Sequence, residues 1–220
     1  MLRWLLSCLP LPVSACELAL LLAVDVSGSV DADEYRVQMD GLAAALRDGV
    51  VSQALVEQNA SVALMQWTGS SRQRVTIPWT AMTSFADTDA FAARVEGDPR
   101  VWRHYSTAIG EALALGRTSF ADVPQCKRRV IDVSGDGVSN EGGAPAVQKP
   151  ALRAAGITVN ALAIETDETD LTAYFFENLI TGEGAFVVTA NGFEDYPAQI
   201  RRKLLREITR QVSAVDPSDL

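Results

Sequence analysis

Asp25, Ser27 and Ser29 follow directly on the apolar run "LALLLAV", so a carboxylate and two hydroxyls stand at alternate positions just beyond a segment that reads as buried. Two further segments carry similar groups far along the chain. Thr107 lies in "RHYSTAIGEAL", at the expected start of a helix, and Asp136 lies in "VIDVSGDG", after another buried run. Two carboxylates, three hydroxyls and no nearby Cys or His cluster make an all-oxygen set. Hard cations such as Mg2+ or Mn2+ accept that set, whereas zinc more usually recruits His or Cys. Each piece also has an ordinary explanation. Asp-x-Ser-x-Ser suits a capped turn, Ser106 or Thr107 suits a helix N-cap, and "GDG" suits a plain turn. Their occurrence together, each at the end of a strand or the start of a helix, is the more specific observation.

The elements that must position these groups alternate along the chain. "ELALLLAV", "ASVALMQWT", "RRVIDVS" and "ITVNALAIE" read as strands, with "RQRVTIPW" joined by a hairpin after "GSS" and a short "GAFVVT" near the end. Helical periodicity follows Asp33, the expected cap, through Tyr35, Met39, Leu42 and Leu46. It recurs over 85–95, in "STAIGEALALGRTSF", over 145–155, near 171–179 and over 197–212. The last of these carries Arg201, Arg202, Lys203, Arg206 and Arg210, which read as the solvated face of an amphipathic helix. No internal repeat or low-complexity linker divides the chain. The expectation is an α/β fold, a doubly wound and mostly parallel sheet with helices on both faces. In such sheets ligands bind beyond the carboxyl ends of the strands, where strand order reverses.

With 220 residues, 48% hydrophobic and 21% charged, the chain builds a substantial core as one domain. A net charge of −9 argues against a phosphate-tracking nucleic-acid binder. Arg3, the apolar stretch 4–13 and the small residues Ser14 and Ala15 have the layout of a secretory signal peptide cut before Cys16. A membrane anchor running on to Val24 is the competing reading, interrupted by Pro10, Pro12 and Glu17. The expected organisation is therefore a signal peptide over 1–15, one domain over 16–215 and a tail over 216–220. The product would be exported to the periplasm or the cell exterior, with no transmembrane span in the mature chain. Cys8 leaves with the signal, and Cys16 and Cys126 remain. Two cysteines in an exported domain suggest one disulfide, while "VSAC" also resembles a lipoprotein box in which Cys16 is acylated.

The ordered set Asp25-x-Ser27-x-Ser29, Thr107 and Asp136 resembles the metal-ion-dependent adhesion site (MIDAS) of the von Willebrand factor type A (vWA) domain, and more particularly an exported bacterial subfamily of unknown function. The resemblance spans roughly 17–212. Two details differ from the common pattern: His104, Tyr105 and Ser106 precede the Thr where relatives often carry Gly, and Gly135-Asp136-Gly137 stands where Thr-Asp-Gly is frequent. The resemblance implies a six-stranded sheet of order 3-2-1-4-5-6 with one antiparallel edge strand. It implies that Ser27, Ser29 and Thr107 offer hydroxyls to Mg2+ or Mn2+ while Asp25 and Asp136 neutralise it. In that order the first and fourth strands are neighbours. Cys16, nine residues before Asp25, and Cys126, ten before Asp136, then fall at the bottom of adjacent strands and would pair.

The function implied is metal-dependent protein binding, adhesive or scaffolding and not enzymatic, in which a Glu or Asp of a partner completes the metal's coordination. The alternative is a metal-dependent hydrolase or phosphoryl-transfer enzyme with Asp25 as nucleophile and His104, the single histidine, as base. Against that, the paired-carboxylate motif of Asp-nucleophile phosphatases is absent, since position 27 is Ser. A third possibility is a scaffold with a vestigial site. "GDGVSNEGG" lacks the lysine of a phosphate loop, so nucleotide binding has little support. The segments 138–143 and 69–71 are expected to flank the site, with Glu141 a solvated loop carboxylate.

Overall fold

β1 (Leu18–Asp25) is buried along its whole length because it lies at the centre of a sheet covered on both faces. In the computed structural model, which describes residues 15–166 and 170–209, β1 pairs in parallel with β2 (Ser61–Trp67) and with β4 (Arg128–Gly135). β3 (Gln73–Ala81) runs antiparallel to β2, while β5 (Ile157–Glu165) and β6 (Val187–Asn191) extend the parallel sheet beyond β4. The order is β3-β2-β1-β4-β5-β6, as expected. Strand order reverses beside β1, so the crevice at its carboxyl end is where such a sheet binds.

β1 shows how the alternation of a strand serves two layers. Leu18, Leu20, Leu22 and Val24 face the cluster built by α1 (Ala32–Arg47), α2 (Gly49–Glu57), α3 (Phe85–Glu96) and α7 (Tyr196–Ile208). Ala19, Leu21 and Ala23 face the cluster of α4 (Ile109–Ser119), α5 (Lys149–Ala154) and α6 (Leu171–Asn178). Small residues on this second face let α4 approach closely. A Cβ at Gly116 would meet Ile131 Cδ1 at 2.9 Å and Leu21 Cδ2 at 3.1 Å.

Several expectations are corrected in detail. The cap of α1 is Asp31, which accepts from the amides of Asp33 and Glu34 while its own N–H donates to Glu34 Oε2, a full capping box. α2 was not expected. It follows α1 directly, with Asp48 both closing α1 and capping α2. The helix expected over 145–155 is a 3-10 turn at Pro145–Gln148 leading into the short α5. Lys203 is not on the solvated face of α7. It is fully buried, touching Asp132 of β4 and donating to Glu207 Oε1 at 2.8 Å, while Asn160 of β5 donates to the same oxygen at 2.9 Å. Burial, and then the nearby Asp132, raises the Glu207 carboxyl above its usual range. Arg210, the end of the expected helix, the segment 1–14 and the tail 216–220 lie outside the described residues.

Cys16 and Cys126 form a disulfide with Cα atoms 4.5 Å apart, closing a separation of 110 residues. Its ends are flanked by ladder bonds from Lys127 N to Cys16 O at 3.0 Å and from Arg128 N to Glu17 O at 3.1 Å. Replacing both cysteines by alanine is expected to lower stability by about 2–5 kcal/mol in urea denaturation. A loss well under that range would show that the strand ladder alone fixes this end of the sheet. Lys203→Ala, which leaves Asp132 and Glu207 without their cation, is expected to cost about 3–5 kcal/mol in the same assay. A cost below about 1 kcal/mol, the scale of an exposed pair, would contradict this reading of the cluster.

Candidate metal centre

The strand registers bring the distant groups together before any side chain is considered. Val24 pairs with Ser134 across the β1–β4 ladder, so Asp25 and Asp136 leave neighbouring strands at nearly the same level. Beyond β1 the chain turns tightly, with Val30 N bonded to Ser27 O at 3.2 Å. Asp25 Oδ1 accepts from Ser27 N at 2.7 Å. Ser27 Oγ lies 3.1 Å from Ser29 Oγ, and Ser29 Oγ donates to Asp136 Oδ1 at 2.7 Å. Asp25, Ser27, Ser29 and Asp136 thus form one continuous polar chain between two strand ends.

Thr107 reaches the same place by a different route. The cap position of α4 is Ala108, whose side chain makes no capping bond, so neither Ser106 nor Thr107 serves as the helix N-cap. Thr107 is buried while Ser106 is exposed. A Cβ at Gly137 would stand 3.9 Å from Thr107 Oγ1, which places that hydroxyl beside the turn that carries Asp136. The backbone of Thr107 is gripped from both sides by Asn140, whose Oδ1 accepts from Thr107 N at 2.9 Å and whose N–H donates to Thr107 O at 2.9 Å. Ser139 Oγ donates to Thr107 O at 3.3 Å and accepts from Ile109 N at 3.2 Å. The polar loop after β4 therefore holds the Thr107 segment in position.

Two positioning residues escaped the sequence reading, Asn140 and Arg100. Arg100 donates to the carbonyls of Val26, Ser27 and Asp31 at 3.1, 2.8 and 3.1 Å, clamping the loop that carries the serines. A third close approach joins Gly28 N to Tyr105 O at 2.7 Å. A Cβ at Gly28 would come within 3.3 Å of the His104 backbone, so it is the main chain of His104, in a left-handed conformation with φ 58°, that packs here.

The electrostatics of this cluster are unfavourable as it stands. Asp25 is fully buried, and burial, followed by the charge of Asp136, pushes its carboxyl up to about 8. Burial also raises Asp136, against the lowering effect of its bond from Ser29. Asp25 Oδ2 is buried with no hydrogen-bond partner. A buried, unpaired carboxylate oxygen is costly unless a cation or donor answers it. Space beside it is reserved, because a Cβ at Gly135 would stand 3.0 Å from Asp25 Oδ2. Among the described residues no three His, Cys, Asp or Glu side chains group closely enough to hold a metal. A cation at this point would depend on hydroxyls as well as the two carboxylates, which suits a hard ion. Two cavities, of about 970 and 490 Å3, are lined by other residues, among them Thr158, Thr181 and Phe176.

Comparison with solved structures places this geometry in a known fold. Proximal thread matrix protein 1 from the mussel byssus, in a form with a zinc-occupied MIDAS motif, superposes with a TM-score of 0.68 at 19% identity, over 88% of this chain and 48% of that one. The pilus adhesin SpaC from Lactobacillus rhamnosus GG gives 0.64 at 14% identity, over 87% and 31%. A von Willebrand factor type A protein from Catenulispora acidiphila gives 0.58 at 19%, over 87% and 43%. The chain therefore spans half or less of the length of these proteins, and what it shares with them is the vWA fold. No curated protein matches the sequence. A family model described as "Protein of unknown function (DUF1194)" matches residues 15–212, and the chain belongs to that family.

Proposed function

We propose that the chain is an exported, metal-ion-dependent protein-binding domain in which Asp25, Ser27, Ser29, Thr107 and Asp136 hold one Mg2+ or Mn2+ ion. The observation that carries the reading is the buried, unanswered Oδ2 of Asp25, set beside Asp136 and a chain of hydroxyls. The metal would supply a charge that answers both carboxylates and a coordination position for a Glu or Asp of a partner protein. The chain's own residues do the rest: Arg100 and Asn140 fix the loops, and the Ser29 hydroxyl orients Asp136. The zinc-occupied MIDAS of the mussel protein supports a divalent ion at this place in the fold, and the all-oxygen donor set favours a harder one here. Export after cleavage near Cys16 agrees with the disulfide that Cys16 makes, since such bonds persist in oxidising compartments. The alternative, Asp25 chemistry with His104 as base, is the weaker reading because the contact that His104 makes with the serine turn is through its main chain.

Calorimetric titration of metal-stripped protein with Mg2+ is expected to show about one ion per chain, lost in Asp25→Ala and Asp136→Ala variants that stay folded. Wild-type protein that binds no metal, or variants that bind it as well, would overturn the assignment. The metal must displace the proton that burial retains on Asp25. Its affinity is therefore expected to rise as pH increases from 6 towards the Asp25 value of about 8, and to level off above it. An affinity independent of pH over that interval would show that metal binding displaces no proton from Asp25.

A further inference from the structure

The surface beside this site carries three arginines, Arg72, Arg74 and Arg103, and two of them lie against aromatic rings. Arg72 stacks on the ring of Tyr105, with its guanidinium carbon 3.7 Å from the ring centroid, and Arg74 lies 5.7 Å from that of Trp102. Arg103 is exposed between the two aromatic residues. None of the three makes an ion pair within 4.0 Å among the described residues, although the charge of Arg72 is felt by the Glu141 carboxyl, which it helps to lower. The hydrogen bonds of the nearby acids go to other groups: Glu141 accepts from Ser70 at 2.5 Å, and Asp98 accepts from Gln66 at 2.8 Å and Thr76 at 2.6 Å.

These arginines are fixed to the candidate centre. Thr68 Oγ1 donates to Ser106 O at 2.9 Å, and Ala108 N donates to Thr68 O at 3.0 Å, so the turn before Arg72 is tied to the Thr107 segment. Tyr105 O in turn receives Gly28 N, between the two serines. Stacking on an aromatic ring orders a guanidinium and leaves its donor edge free for a carboxylate.

We propose that Arg72, Arg74 and Arg103 form a cationic arc that selects an acidic protein segment, one whose further carboxylates lie beside the residue offered to the metal. The inference rests on the protein-binding reading above and names the partner's chemistry. A nucleic acid fits less well, because the charge of −9 repels a long polyanion beyond the arc.

The test is fluorescence anisotropy of a labelled oligoglutamate peptide titrated into the full chain at low salt, once with Mg2+ and once with EDTA. Arg72→Glu combined with Arg74→Glu is expected to weaken binding about tenfold or more in both conditions while Mg2+ still binds. Arg103→Glu alone, which breaks no contact of the fold, is expected to weaken it by about threefold. Arg94→Glu on α3 serves as the control and leaves binding unchanged. Oligoglutamate affinity that is the same in wild type and in both arc variants would overturn the proposal. Tighter binding of an oligothymidylate than of the peptide would overturn it too, assigning the arc to nucleic acid. A chain that binds no Mg2+ but loses the peptide when the arc is reversed would refute the metal site and support the arc.

Discussion

Leu18 to Val24 run beside Arg128 to Ser134 at a constant offset of 110 residues, and the disulfide between Cys16 and Cys126 has that same separation. This single register governs both ends of the molecule. At one end it brings two sulfurs together. At the other it carries Asp25 and Asp136 out of the sheet side by side, where burial raises both carboxyls. A slip of one residue would turn every apolar side chain of β1 to the opposite face and separate the two aspartates from their hydroxyls. The apolar filling of both faces of β1 is therefore what fixes the polar chemistry at its tip.

Placing two carboxylates in a nearly dry crevice costs free energy that the rest of the site only partly offsets. Ser27 N and Ser29 Oγ each answer one oxygen, and Arg100 spends its donors on loop carbonyls instead of on Asp25. The unanswered Asp25 Oδ2 is the residue of that imbalance. A divalent cation would remove it. Arg100, Asn140 and the Gly28–Tyr105 contact hold the surrounding loops against this cluster.

Much of this was legible in the sequence. The strands were readable because central parallel strands appear as continuous apolar runs, and the five oxygen-bearing residues proposed to hold the metal stood out because each lies near the end of a strand or the start of a helix. What escaped depends on contacts between distant segments. α2 was missed because Asp48 ends one helix and begins the next without a polar break. Asp33 was favoured as a cap although Asp31 and Glu34 have the spacing of a capping box. Lys203 was assigned to solvent because helical periodicity cannot show that Asp132 and Asn160 line the sheet face beneath it. Arg100 and Asn140 carry no local signal at all; their roles arise only when their loops meet the serine turn and the Thr107 segment.

We propose that Asp25, Ser27, Ser29, Thr107 and Asp136 together enclose a cation. Anomalous diffraction from crystals of the protein grown with Mn2+ tests it most directly. One strong peak enclosed by the hydroxyls of Ser27, Ser29 and Thr107 and the carboxylates of Asp25 and Asp136 is the expected result. Strong manganese peaks elsewhere on the chain, with none at this point, would contradict it.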